Sequence, residues 1–226
     1  MGWILQTILS SIGRKLTMAI TGAFLIIFLI AHVSGNLLLL KGDSGQTFNL
    51  YADFMTKNPL IKVVAYTNYI MIILHVLFAY FLTTKNKDSR SISYLLNSPS
   101  ANSSWNSRNM GILGTVLFIF LVVHLQNFWY EYKFGNPPFI VYGNVEVRDM
   151  YIIVTNAYSN FLYVIFYVIS MLFLSLHLWH GFKSFFQSLG LNHSKYTPLI
   201  EKLGMVFSIT IPSLFAIIPI CIYFKV

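Results

Sequence analysis

The chain has 226 residues, of which 56% are hydrophobic and 10% are charged. Soluble domains carry about 25% charged residues, so this composition excludes an ordinary soluble fold. The formal net charge of +8 would suggest nucleic-acid binding in a soluble protein, but here we expect the positive charge to be divided between the two sides of a membrane. The single cysteine, Cys221, excludes a disulfide framework, a cysteine-rich metal site and a CxxCH attachment motif.

Five apolar stretches are long enough to cross a bilayer, which takes about 20 apolar residues. They cover residues 17–40, 61–84, 110–129, 150–182 and 203–224. The fourth is longer than a straight crossing needs, so we expect it to tilt or to protrude from the membrane. The fold class that follows is all-α, with residues 1–226 forming a single integral membrane domain.

The segments outside these spans suggest little further structure. Apolar residues repeat at helical spacing from Leu5 to Ile12, which predicts a short helix along the inner membrane surface. The inner connection, residues 85–108, is rich in Ser and Asn, and we expect a partner to order it. The outer connection around Gly135 and Pro137 is predicted to be a loop. No internal repeat is evident.

The distribution of Lys and Arg predicts which side each end of the chain faces. With the N-terminus inside, nine of these residues fall on the inner side and six on the outer side, which favours that orientation. The inner set is Arg14, Lys15, Lys85, Lys87, Arg90, Arg108, Lys183, Lys195 and Lys202, and the outer set is Lys41, Lys57, Lys62, Lys133, Arg148 and Lys225.

Each of the first four spans contains a histidine: His32, His75, His124 and His177. An ionisable side chain inside the bilayer is costly and usually marks a functional site. At about 1.5 Å of rise per residue, His32 and His124 lie roughly 25 Å from the inner edge of the membrane, whereas His75 and His177 lie roughly 9–15 Å from it. The histidines therefore form an outer and an inner pair, and each pair joins alternate spans.

Alternate spans lie diagonally in a four-helix bundle, and bundle cores are common cofactor sites. A planar macrocycle between diagonal helices, with one imidazole on each face of its iron, fits this arrangement. We therefore expect the first four spans to form a bundle that binds two haem b groups, stacked across the membrane with a separation in depth of roughly 10–15 Å. Glycines near the histidines, among them Gly22, Gly114 and Gly181, would leave room for them.

Other interpretations of the histidines remain open. A single intramembrane histidine can hydrogen-bond across helices without a cofactor. Four of them can also form a proton or metal-ion pathway in a transporter, although such pathways usually include acids inside the spans, and no acid lies well inside any of these. His180 lies three residues after His177 and competes with it as a ligand. His193 lies in the last inner connection and is expected at the surface.

Two segments carry a family resemblance. SIGRKLTMAITGAFLIIFLIAHVSGNLLL and LHLWHGFKSFFQSLGLNHSKYTP resemble the di-haem cytochrome b membrane anchor of succinate dehydrogenase and fumarate reductase. The resemblance is to the single-chain type with five helices, in versions from Bacteroidetes-like bacteria. It covers essentially the whole chain, although the middle is similar mainly in pattern.

The resemblance implies a respiratory complex in the bacterial cytoplasmic membrane, in which a flavoprotein subunit handles succinate or fumarate and an iron–sulfur subunit relays electrons to the anchor. The anchor exchanges these electrons with quinone, usually menaquinone, through two haems. The ligands it implies are His32, His75, His124 and His177. The chain itself has no dinucleotide motif and no cysteine cluster, so it would not oxidise succinate alone. A di-haem anchor of another enzyme, such as a hydrogenase, is the alternative.

Further site residues follow from the same resemblance. Five residues at the inner edge are candidates for contacts with the haem propionates: Arg14, Lys15, Trp105, His180 and Lys183. Asp53, in the first outer connection, is the candidate proton donor for quinone. This chain has Ser175 two residues before the last ligand, at a position where some members of the family have a glutamate.

Overall fold

The structure is a computed structural model, and it describes residues 2–88 and 105–225. Most of the inner connection that we expected a partner to order, residues 89–104, lies outside the described residues. Five helices are long and apolar enough to cross a membrane, which supports a multi-pass membrane protein. We call them spans one to five, and they run over Ser11–Leu40, Pro59–Thr84, Met110–Phe134, Phe161–Ser188 and Thr197–Phe224.

Two of the spans depart from regular α-helical geometry at one end. Span one is α-helical over Ser11–Asn36 and ends in a 3₁₀ turn, Leu37–Leu40. Span three is α-helical over Met110–His124, becomes a π-helix over Leu125–Tyr130 and ends in a short α-helical turn, Glu131–Phe134. The α-helix of span two continues beyond the apolar stretch to Asp88.

The remaining elements are short and lie outside the spans. They are the helices α1 (Trp3–Leu9), α2 (Gln46–Lys57), α3 (Trp105–Arg108) and α4 (Met150–Tyr158), and the strands β1 (Phe139–Tyr142) and β2 (Val145–Arg148). Helix α1 falls where the apolar repeat near the N-terminus predicts one. Helix α2, the hairpin and α4 form a layer at one end of the bundle that we call the cap, and we call the opposite end, with α1 and α3, the base.

The prediction of one long fourth span, residues 150–182, was wrong. The structure divides this stretch into α4 and span four, and span four begins at Phe161. The side chain of Asn160 accepts a hydrogen bond from the backbone N–H of Tyr163 at 3.2 Å, which caps a new helix. The apolar run therefore contains a helix of the cap followed by a complete membrane span.

The prediction that the second outer connection is a loop was also wrong in part. Strands β1 and β2 pair antiparallel, with Tyr142 opposite Val145. Gly143 between them has φ +61°, a backbone conformation that glycine adopts without strain. The Gly143–Asn144 pair is a recognised signal for a two-residue hairpin turn, which the Gly and Pro residues that precede it obscured.

Spans one to four form a closed ring in which each helix packs against the next and span four packs against span one. Spans one and three therefore lie diagonally, as do spans two and four. Span five lies outside the ring, where it packs mainly against span four and also against span one. Large apolar side chains on the outer surface, such as Ile27 and Leu172, are exposed and suit contact with lipid.

Asn49 holds the cap together. Its side chain is fully buried and donates hydrogen bonds to Asp149 Oδ1 at 2.8 Å and to the Tyr142 hydroxyl at 3.1 Å. Its amide oxygen accepts a hydrogen bond from the backbone N–H of Tyr151 at 2.9 Å. One side chain thus joins α2 to the hairpin and to the first turn of α4.

We expect Asn49→Ala to lower the free energy of unfolding by about 1–3 kcal/mol, because it leaves buried polar partners unsatisfied. Thermal unfolding of the purified protein in detergent measures this change. Asn156→Ala is the control, since this asparagine lies exposed on α4. Equal stability of the two variants would contradict the role of Asn49.

Candidate functional site

The structure places the four intramembrane histidines in two pairs inside the bundle. The imidazole rings of His32 and His124 have their centres 5.8 Å apart, on the diagonal between spans one and three. The rings of His75 and His177 have their centres 6.3 Å apart, on the diagonal between spans two and four. We call them the cap pair and the base pair. They are the combinations that the depth calculation predicts, and whether they bind iron stays a prediction.

The spacing within each pair fits two ligands of one metal ion. A metal ion with imidazoles on opposite sides holds the ring centres about 6 Å apart, because each metal–nitrogen bond is about 2 Å long and each ring adds about 1 Å. No hydrogen bond between described atoms joins the two rings of either pair. The two rings of each pair are therefore close together, but neither ring satisfies the hydrogen-bonding capacity of the other.

The base pair has one ring whose orientation is set by a hydroxyl. Thr21 Oγ1 lies 3.1 Å from His75 Nδ1 and donates its own proton to the carbonyl oxygen of Thr17 at 2.8 Å. The hydroxyl has one proton, so it accepts from an Nδ1–H on His75. This tautomer leaves the lone pair of Nε2 free for a metal. His177 Nδ1, by contrast, is buried and has no hydrogen-bond partner among the described residues.

In the cap pair, too, one ring has its Nδ1 beside a hydroxyl and the other ring does not. His124 Nδ1 lies 2.7 Å from the hydroxyl of Tyr167, which is buried in span four. His32 Nδ1 lies 3.4 Å from the side-chain nitrogen of Asn36, which donates to the backbone carbonyl of His32 at 2.7 Å. Each ring also stacks on the phenylalanine one turn before it, with ring centres 5.1 Å apart for Phe28 and 5.6 Å apart for Phe120.

Small residues lie at or near the depth of the base pair. A Cβ on Gly22 would lie 3.5 Å from the His75 ring, and no described atom lies within 4 Å of a Cβ placed on Gly114 or Gly181. Gly114 lies ten residues before His124, or about 15 Å toward the base, which is the offset between Gly22 and His32. Gly22 therefore adjoins the base pair, and helical rise puts Gly114 at a similar depth on span three. Gly35 serves a different purpose, because Tyr51 of α2 packs directly against it.

Three of the candidate propionate contacts meet in one cavity at the base. Trp105, His180 and Lys183 line a cavity of about 350 Å³ between α3, span four and span five. Lys183 is ion-paired with Glu201 across the cavity at 2.7 Å. Arg14 lies half-buried on span one with its Nε buried and without a hydrogen-bond partner among the described residues, as expected of a group that binds an anion.

The other predicted residues lie away from the two pairs. Lys15 is exposed at the base, and His193 is exposed in the turn before span five. Asp53 lies on α2 in the cap and forms an ion pair with Lys57 at 2.8 Å. Burial raises the pKa of Tyr51 on the same helix.

An internal repeat that the sequence analysis missed becomes visible once spans one and three are compared at their histidines. The segment from Gly22 to His32 reads GAFLIIFLIAH and the segment from Gly114 to His124 reads GTVLFIFLVVH, with six of eleven positions identical. The stacked phenylalanines occupy equivalent positions. The change of helix type after each segment differs, and a π-helix such as the one after His124 is often found at functional sites.

The donor set and its surroundings fit haem. Two imidazole pairs with ring centres 5.8 Å and 6.3 Å apart, a glycine against the ring of His75 and a buried guanidinium nitrogen at the base could hold such a group and its propionates. Comparison with known proteins adds no evidence of relationship: no protein-family model, no curated protein and no solved structure matches this chain.

We expect Gly114→Phe to reduce the haem content of the purified protein to about half, because it adds a large ring at the depth of the base pair, where no described atom lies within 4 Å of a Cβ on Gly114. Haem content per chain is measured from the absorption spectrum of the pyridine complex. Ile112→Phe is the control, since Ile112 is 63% exposed on the same span and suits contact with lipid. Full haem content in Gly114→Phe would show that the space is not used.

Proposed function

We propose that this chain is the electron-transfer membrane anchor of a bacterial succinate:quinone oxidoreductase. The observation that carries the proposal is the meeting of four intramembrane histidines in two pairs, with ring centres 5.8 Å and 6.3 Å apart. The geometry supports a di-haem cytochrome b. The assignment to succinate and quinone is supported by the sequence resemblance alone.

In this proposal the four histidines bind two haem b groups, and the bundle holds them one above the other. Bound haem would supply a reversible one-electron change at iron. If each iron took both imidazoles of a pair as ligands, no position would remain open for oxygen or another substrate, which would favour electron transfer. Gly22, which lies against His75, is ten residues before His32 on span one, so the two pairs differ in depth by about 15 Å. This separation would let electrons cross between the two membrane surfaces.

The two ends of the bundle would then have different partners. In the proposed orientation the base faces the cytoplasm, and the iron–sulfur subunit docks there with the flavoprotein subunit behind it. Trp105, His180 and Lys183 would face the propionates of the haem of the base pair, and Arg14 would supply a further charge. Lys15 would add a positive charge at the surface of the base.

The cap would lie near the quinone site on the outer side, and the resemblance implies a quinone of the menaquinone class. Asp53 is the candidate proton donor there, and it forms an ion pair with Lys57. Ser175 takes the place of the glutamate of some relatives, so this chain lacks that carboxyl group two residues before His177. We propose no transmembrane proton path.

The pairing gives a spectroscopic test. His32→Ala and His124→Ala should each remove the same haem, and His75→Ala and His177→Ala should each remove the other, because loss of either imidazole leaves one face of the iron without its ligand. Absorption spectra and redox titration of the purified variants identify the haem that remains. His193→Ala is the control, since His193 is exposed and should leave both haems in place.

Different results would contradict different parts of the proposal. Loss of the same haem in His32→Ala and His75→Ala would contradict the pairing. Protein that is folded but contains no haem would favour a histidine-based transporter. Two haems that succinate does not reduce in the complex purified from its native membrane, with no flavoprotein present, would instead favour the anchor of another oxidoreductase, such as a hydrogenase.

A further inference from the structure

The two histidine pairs share an asymmetry in the partners of their Nδ1 atoms. In each pair, one ring has its Nδ1 next to a hydroxyl from a neighbouring span, and the other ring does not. His75 has Thr21 of span one, and His124 has Tyr167 of span four. Both hydroxyl-bearing side chains are almost completely buried, with 2% and 4% of their surface exposed.

On the diagonal span, the position at the same distance before its histidine is apolar in both cases. Thr21 lies eleven residues before His32, and the residue eleven before His124 is Leu113. Tyr167 lies ten residues before His177, and the residue ten before His75 is Ala65. The chain therefore provides a hydroxyl on one side of each pair and not on the other.

The direction of the hydrogen bonds follows from what each hydroxyl can donate and accept. Thr21 donates to backbone carbonyl groups of its own helix at 2.8 Å and 3.1 Å, so toward His75 it accepts. The hydroxyl of Tyr167 lies 2.7 Å from His124 Nδ1, and its oxygen has lone pairs that can accept a hydrogen bond there. An Nδ1–H donated to each hydroxyl leaves the lone pair of Nε2 on the same ring free for a metal.

We propose that Thr21 and Tyr167 are positioning residues that fix the tautomer of His75 and His124, present Nε2 of each ring to iron and lower the reduction potential of the haem in each pair. The inference rests on the proposed function. A hydrogen bond accepted from Nδ1–H makes the imidazole a more basic ligand. A more basic ligand stabilises ferric over ferrous iron and so lowers the reduction potential. Because each hydroxyl contacts one histidine, each would act on one haem.

The test is redox titration of the two haems in the purified complex, with the ferric low-spin signals recorded by electron paramagnetic resonance. Tyr167→Phe should raise the midpoint potential and shift the signal of the haem of the cap pair alone. Thr21→Val should do the same to the haem of the base pair alone. Thr21→Ser restores the hydroxyl and should return the potential to that of the unmodified protein, a rescue that packing effects would not produce.

Matched controls remove similar groups that do not touch a histidine. Tyr69→Phe removes a phenol that accepts a hydrogen bond from Trp129 Nε1 at 2.8 Å, and Thr67→Val removes a half-buried hydroxyl that donates to Val63 of its own helix. Neither should move either potential.

The outcomes separate this inference from the proposed function. Two haems with unchanged or lowered potentials in Tyr167→Phe and Thr21→Val would overturn the role of the hydroxyls and leave haem binding intact. Equal shifts of both haems in each variant would also overturn it. Unmodified protein without haem would overturn the proposed function together with this inference.

Discussion

Four imidazole rings lie inside the apolar part of a helix bundle, and the interior is organised by the need to satisfy their nitrogens. Water is absent from the hydrocarbon region, so a polar group that lacks a partner there costs several kcal/mol. Each ring has two nitrogens. Thr21, Tyr167 and Asn36 approach Nδ1 on three of the rings, while the opposing ring of each pair lies at a distance that suits a metal between them.

The closed ring of spans one to four makes this arrangement possible. It places spans one and three on one diagonal and spans two and four on the other, so each pair of histidines can meet across the centre. Small residues lie at the depth of the base pair: the ring of His75 lies next to Gly22, and Gly114 lies at a similar depth on span three with no described atom within 4 Å of a Cβ placed on it. Span five packs outside the ring and contributes Phe215 to the surroundings of His32.

The sequence predicted the membrane spans well because an apolar run of sufficient length has few alternatives in water or in lipid. The residues that meet in each pair could be predicted for a similar reason, since helical rise converts sequence position directly into depth. The same reasoning failed at Asn160, because an apolar run does not show where a helix stops and a new one begins. It also passed over the Gly143 turn, which is a local signal inside a segment rich in Gly and Pro.

The hydroxyl partners could not be found from the sequence alone. Thr21 and Tyr167 are ordinary residues for a membrane helix, and only the rotation of each span about its axis brings them to a histidine. The repeat was present in the sequence, but it is visible only when spans one and three are aligned on His32 and His124. Its six identical positions of eleven include the glycine, the stacking phenylalanine and the histidine.

The central claim is that the paired imidazoles ligate haem iron. The most direct measurement is the haem content of the unmodified protein, purified from its native membrane, together with the spin state of the iron. The account predicts two non-covalently bound haem b groups per chain, both six-coordinate and low-spin in the oxidised state. A folded preparation without haem, or one whose iron is high-spin with an open axial position, would contradict it.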